Sequence, residues 1–357
     1  MFTQQNRQDL ETKGVTVVRD VISLEDCDRH QQFFRDWLKT FPDGQWPQSR
    51  NSLIQKYSSG HLQPAWEVRL AAKSVFAQVW ETNKLLSSMD AIAIGRPPED
   101  GEENFWSEGD SWLHVDQTAE RVGLHAYQGA VYLEDCDERD WTFEVMENSH
   151  LYFNEFMERT DQWQCRNLKG PDMDWLKSKG CKRLRVPCPK GGLLLWDSRL
   201  FHANARPVKG REHRGRWRFV VFVCMTPAAW ATPSDLEVKR TAYKERKLTR
   251  HWPSQGVSVF STFINRGQPR DPTELHHLPE VARTEEAKRL AGVLSYDDDD
   301  DDDNDDGACL EDAQQPRCSV CPTWNIDRWA AQIQDFKDGK NHQYKERTGK
   351  KTPFKAR

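Results

Sequence analysis

The sequence predicts a mainly β fold with flanking helices, a sandwich or barrel, and three observations carry that prediction. Short apolar runs bounded by turn residues recur between about residues 88 and 228, at the spacing of strands in an all-β unit. Aromatic residues make up 11% of the chain, with 15 Trp, which suits sheets with bulky inward side chains better than a helical bundle. Longer stretches of helical periodicity lie before and after those runs.

Taken in order, residues 14–18 form a short extended run. Ser23-Leu24-Glu25-Asp26 reads as a helix N-cap with acids in the first turn, so a helix runs to about Lys39. Residues 53–57 are extended and 58–61 form a turn. From Pro64 to about Glu81, the residues Ala65, Val68, Ala72, Phe76 and Val79 recur at the spacing of one helix face. Residues 89–94 alternate as a strand, which Gly95-Arg96-Pro97-Pro98 must break.

An acidic loop over 99–110 leads into Ser111-Trp112-Leu113-His114-Val115-Asp116-Gln117, read as the next strand. Residues 128–133 and 141–146 are strands on either side of a polar turn, and 147–150 turn into a short helical stretch over 151–159. Strands at 184–186, 192–196 and 218–223 complete the series. Beyond about Thr226 the pattern is helical and charged, as over 234–251, and a last helix is expected at 324–336.

The expected organisation is one domain over 1–290, with a barrel core at about 88–228 and helical segments before and after. A nine-acid run from Asp297 to Asp306 cannot bury apolar area, so 291–323 is expected to be an acidic, disordered linker. Residues 324–357 would carry the short helix and a basic tail.

The formal charge of -5 reflects that run, and setting its nine negative charges aside leaves a mildly basic body of about +4. No apolar stretch approaches the ~20 residues of a membrane span, and the polar start lacks a secretory core. Nine scattered cysteines, an odd number, read as free thiols rather than a disulfide framework. These features point to a soluble, intracellular, cytoplasmic protein.

The chemistry centres on His114 and Asp116. In an extended strand the side-chain period is two, so these residues share one face while Leu113 and Val115 take the other. An imidazole and a carboxylate that converge need only one further histidine to make a 2-His-1-carboxylate iron triad with open positions. His-x-Asp alone is weak evidence. A candidate third ligand is His202, which follows the apolar run Gly192-Leu193-Leu194-Leu195-Trp196 through a polar turn.

The next strand carries Arg216 and Arg218 on one face beside Val220 and Phe222. A guanidinium inside an apolar barrel is costly unless it meets an anion, and its planar fork fits a carboxylate. A dicarboxylate cofactor would supply that anion.

The ordered series His114-x-Asp116, Gln128-Gly129, Glu147-Asn148-Ser149-His150, Leu195-Trp196-Asp197-Ser198-x-x-x-His202 and Arg218-Phe219-Val220-Val221 resembles the phytanoyl-CoA dioxygenase-like branch of the Fe(II)/2-oxoglutarate oxygenases. The resemblance covers roughly residues 14–227 and implies a double-stranded β-helix, a jelly-roll or cupin-like barrel. It assigns His114, Asp116 and His202 as catalytic iron ligands and Arg218 as the salt bridge to 2-oxoglutarate. Gln128 and Asn204 fall where the family places cofactor contacts. With O2 as co-substrate, it implies conversion of 2-oxoglutarate to succinate and CO2.

The chain departs from the family pattern in two places. The connection over 203–217 is longer than usual, which leaves Arg216 and Arg214 in competition with Arg218 as the anchor. Glu147-Asn148 replaces the usual Pro-Gly before Ser-His. Halogenating relatives lack the carboxylate ligand, so the presence of Asp116 favours hydroxylation.

The expected partner is a small molecule. Basic clusters at 182–185, 206–218 and 239–250 would admit an anionic one, although a solvated charged surface is the commoner explanation. No nucleic-acid motif accompanies them. Gly60-His61 with Trp66 and Arg69 reads as a helix start with a structural Trp, or as a segment near the substrate opening. His125 and His150 read as loop or core histidines. Cys309, Cys318 and Cys321 form only a partial zinc pattern. The rival reading is a non-catalytic barrel that binds an anionic ligand or partner.

Overall fold

The computed structural model describes residues 1–101, 112–121, 123–160, 167–272 and 275–296. The acidic run, the helix expected at 324–336, the basic tail, Ser111, Cys165, Cys309, Cys318 and Cys321 lie outside them. A short helix α1 (Gln4–Thr12) opens the chain and precedes β1 (Val15–Val18). α2 (Leu24–Lys39) starts where the sequence places it, because the Asp26 N–H donates to the Ser23 hydroxyl and acids occupy the first turn. α3 (Gln63–Trp80) buries Ala65, Val68, Ala72, Phe76 and Val79 along one face.

The strands are β2 (Leu53–Ile54), β3 (Leu85–Ser87), β4 (Ile92–Gly95), β5 (Tyr127–Tyr132), β6 (Thr142–Glu147), β7 (Lys182–Val186), β8 (Leu193–Asp197), β9 (His202–Ala205) and β10 (Arg218–Pro227). The helices between and after them are α4 (Phe153–Thr160), α5 (Gly170–Ser178), α6 (Pro233–Glu245) and α7 (Glu285–Leu290). Among the described residues no helix is long and apolar enough to cross a membrane.

Every strand pairing is antiparallel. Seven strands form one sheet in the order β1-β8-β5-β10-β4-β2 with β3 also on β10, and three form a second in the order β7-β6-β9. The inner faces share one core. Ala130 and Tyr132 of β5, Leu194 and Trp196 of β8 and Val220 of β10 meet Phe143 and Val145 of β6, and the Phe143 and Trp196 rings lie 4.5 Å apart. Two antiparallel sheets around one core, with helices outside, make the jelly-roll, cupin-like architecture the sequence predicts.

Alternation along β5 explains how helix and cavity share one strand. Gln128, Ala130 and Tyr132 point inward, while Gly129 faces α3 so closely that a Cβ there would sit 2.8 Å from the Val223 carbonyl oxygen and 3.2 Å from the Phe76 ring.

One expected strand differs. Residues 112–117 form no regular strand, and only His114 is bridged, to His202 and to Asn167. The chain bends away at Asp116 and Gln117, because the buried Gln117 amide donates to the carbonyls of Arg121 (2.8 Å) and Gly123 (2.7 Å) and fixes a turn. The alternation survives the bend, with Leu113 and Val115 buried against Met146 and Phe201.

Lys239 of α6 is wholly buried, and its Nζ donates to the Ser87 carbonyl at 2.6 Å. Burial, assisted by Arg69, pulls the amine down to about 7. The unfolded chain then holds a proton that the fold has released, so this group makes stability rise with pH above about 7. The stability of the native chain relative to Lys239→Met should climb by up to about 1.4 kcal/mol per pH unit between pH 7 and 9. Urea titrations across that range would read this, and a constant difference would refute it.

Candidate metal centre and its cavity

The bridge between His114 and His202 brings two distant stretches into register. The His114 N–H donates to the His202 carbonyl (2.9 Å) and the His202 N–H to that of His114 (2.8 Å). His202 opens β9, one residue past the polar turn that closes β8. That turn is tied to the first stretch, since the Ser198 hydroxyl donates to Gln117 Oε1 at 2.7 Å.

Asp116 completes the group. Its Oδ1 lies 3.4 Å from His114 Nε2 and its Oδ2 3.3 Å from His202 Nε2, and the three ligand atoms lie within 4.8 Å of one another. Each histidine presents the same nitrogen for a reason. His114 Nδ1 contacts the Trp112 carbonyl at 3.0 Å and His202 Nδ1 the Leu200 carbonyl at 2.9 Å. A carbonyl only accepts, so both Nδ1 atoms carry a hydrogen and both Nε2 atoms are turned toward Asp116. Stacking fixes the ring planes, with Trp112 on His114 at 4.7 Å and Phe143 on His202 at 5.3 Å.

Electrostatics matches this geometry. Burial would raise the Asp116 carboxyl, yet the imidazoles of His251, His114 and His202 hold it well below the usual carboxylate range. Burial works against protonation of His114, and the Asp116 carboxylate outweighs it and raises that imidazole.

The triad lines a cavity of about 340 Å³ together with Gln128, Trp196 and Asn204. Arg218, 2% exposed, stands behind Asn204, to whose Oδ1 its Nη2 donates at 2.6 Å across the barrel from β10 to β9. Arg218 Nε and Nη1, Gln128 Nε2, Trp196 Nε1 and the Tyr132 hydroxyl are buried without a hydrogen-bond partner. Gln128 and Trp196 line the cavity itself, with Arg218 behind Asn204, and buried donors left without partners are costly unless an acceptor-rich ligand joins them.

The other arginines are engaged elsewhere. Arg216 Nη1 pairs with Asp137 and Asp140, each at 2.6 Å, and Arg214 is exposed.

A family model described as Phytanoyl-CoA dioxygenase (PhyH) matches residues 10–214, more than half of the chain. The chain belongs to the phytanoyl-CoA dioxygenase family. Among curated proteins it is 26% identical over 277 residues to Ava biosynthesis cluster protein O of Aspergillus versicolor, covering 71% of this chain and 87% of that one. Among solved structures, GlcNAc Inducible Gene 2, GIG2 (DUF1479), from Candida albicans shares the fold with a TM-score of 0.59 at 14% identity, over 96% of this chain and 85% of that chain. EctD from S. alaskensis with 2-oxoglutarate and 5-hydroxyectoine matches with a TM-score of 0.44 at 13% identity, over 64% of this chain and 77% of that chain.

As in other phytanoyl-CoA dioxygenase family members, the cofactors are Fe(II) and 2-oxoglutarate. The residues present fit both. Two imidazoles and a carboxylate suit Fe(II), and the orphaned guanidinium, amide, indole and phenol donors suit a dicarboxylate.

The remaining histidines take the structural roles that the sequence favours. His61, Trp66 and Arg69 are fully buried away from the cavity, with His61 Nε2 on the Lys247 carbonyl at 2.9 Å, so they belong to the helix start. His150 meets the Glu11 carbonyl at 3.0 Å and His125 packs edge-on to Trp252, both outside the triad.

Much of the basic charge is consumed internally. Arg183 forks onto Glu144 (2.8 and 3.0 Å), and buried Arg211 is held by Glu99 (2.9 Å) and Asp140 (3.1 Å). Asp90 and His251 line the cavity beyond the residues that the sequence assigns to it. Asp90 is an acid inside an apolar run, a signal the sequence does carry, whereas nothing local marks His251, whose Nε2 lies 3.7 Å from Asp116 Oδ2.

Proposed function

We propose that this chain is an Fe(II)/2-oxoglutarate-dependent dioxygenase that hydroxylates a small molecule, with 2-oxoglutarate and O2 converted to succinate and CO2. The observation that carries the reading is the convergence of His114, Asp116 and His202 at one end of a cavity whose walls hold orphaned donors. His114, Asp116 and His202 hold the metal, and Arg218, with Asn204 and Gln128 beside it, receives the far carboxylate of 2-oxoglutarate. Bound iron supplies oxygen activation coupled to oxidative decarboxylation of the cofactor.

The protein's own residues supply geometry and exclusion of water. Carbonyl-held Nδ1 atoms keep both imidazoles in the ligating tautomer, and Trp112, Phe143 and Trp196 pack against the two rings. Asp116 supports hydroxylation over halogenation, since a halogenating site leaves that ligand position to the halide.

The test is anaerobic loading of the full chain with Fe(II), followed by 2-oxoglutarate, O2 and a metabolite panel, with succinate as the readout. Succinate release that rises with one panel member is the expected result. A chain that neither binds Fe(II) nor releases succinate would instead be a binding module.

A further inference from the structure

The cavity has a second wall that the metal ligands and the cofactor anchor leave unused. It is built where two distant segments pair through Thr249: its N–H donates to the Met89 carbonyl at 3.0 Å, and the Met89 N–H donates to its hydroxyl at 2.8 Å. Asp90 and His251 flank that junction, and both line the cavity.

The later segment doubles back on itself. Thr249 bridges Val259, and the Phe260 N–H donates to the Leu248 carbonyl at 2.9 Å, which brings Phe260 to the cavity as well. Arg121 fastens this strap from behind, with Nη1 on the Gln255 carbonyl at 2.9 Å and its guanidinium 4.1 Å over the Trp252 ring. The strap lies wholly beyond residue 214, where the family match ends.

Asp90 is 7% exposed, and its carboxylate has one hydrogen bond among the described residues, from the Ala91 N–H at 2.6 Å. Among the described residues no cation forms an ion pair with that carboxylate, and Arg69 and Arg250 act on it only through space. Arg69 Nη2 reaches only the Asp90 main-chain carbonyl, at 3.3 Å, and leaves its own Nε and Nη1 without partners. A buried carboxylate with spare acceptor capacity is unfavourable unless a donor meets it. Burial accordingly pushes this carboxyl up to about 7.

The other residues lining this cavity define what fits. Phe222 and Phe260 offer apolar contact to a hydrocarbon frame, and His251 Nε2 lies 3.7 Å from Asp116 Oδ2, so this wall adjoins the metal ligands. An anionic group at this point would meet like charge.

We propose that Asp90 is the specificity-determining residue of this site, accepting a hydrogen bond from a hydroxyl or amine of the substrate, with His251 beside it and Phe222 and Phe260 against the substrate's apolar frame. The inference rests on the oxygenase reading, since it takes the occupant of this wall to be the molecule that is oxidised.

Three probes on one carbon frame test it: 2-phenylethanol, 2-phenylethylamine and ethylbenzene, titrated into the full chain under ligand-observed NMR. The native chain should bind the alcohol or the amine about tenfold more tightly than the hydrocarbon, and Asp90→Leu should erase that preference. Which donor is retained tells hydroxyl from amine substrates. Equal retention of all three by the native chain, or of none, overturns the inference without reference to any variant, as does a preference that survives in a folded Asp90→Leu protein. Fe(II) binding is measured on the same samples. Iron binding without a donor preference sinks this inference, whereas absence of iron binding sinks the function on which it rests.

Discussion

Asp116→Ala is expected to weaken Fe(II) binding by more than about 100-fold and to reduce succinate release to background. Losing a group that merely orients a metal ligand costs about 10–100-fold in affinity, so losing a ligand itself costs more. The two imidazoles left behind would still present Nε2, because their Nδ1 hydrogens are held by the Trp112 and Leu200 carbonyls and not by Asp116. The variant therefore isolates the carboxylate's share. Anaerobic Fe(II) titration and succinate assays on both proteins provide the measurement, and undiminished iron affinity would place the metal on other donors.

Arg218→Met should act on the cofactor and leave the metal alone. The guanidinium is buried, with two nitrogens free of partners, and removing one member of a buried charge pair costs about 3–5 kcal/mol. That translates into a rise in KM for 2-oxoglutarate of roughly 10²–10⁴-fold with Fe(II) affinity retained. Arg216→Met is the contrast. Its guanidinium already serves Asp137 and Asp140 at the protein's edge, so its loss should lower stability and leave KM unchanged. A KM that followed Arg216 instead would reassign the anchor.

The parts of the fold legible in the sequence are those whose signals are local. The Ser23 cap and the apolar face of α3 depend on neighbours within a turn or two, and both appear where the sequence places them. α1 escapes notice because only Leu10 is buried along it, too little for a periodic signal. β9 escapes because His-Ala-Asn-Ala is small and polar, and it becomes a strand only by pairing with β6.

The site divides in the same way. His114, Asp116, His202 and Arg218 are readable as an ordered series of motifs. Asp90 and His251 are brought to one wall by a bond between residues 160 positions apart, which no window of sequence contains.

The position of β10 has a consequence for how the protein is made. This strand lies in the middle of the large sheet, hydrogen-bonded to β5, β4 and β3 at once, although it is the last strand of the barrel to be synthesised. As the chain leaves the ribosome from its N-terminus, β4 and β5 must wait as open edges, the state in which nascent sheets are most prone to pair with strangers. The strand that ends this exposure begins with Arg218. Sheet closure and arrival of the buried guanidinium are therefore one event, and a nascent chain stalled before it would have neither a sealed barrel nor that cation inside it.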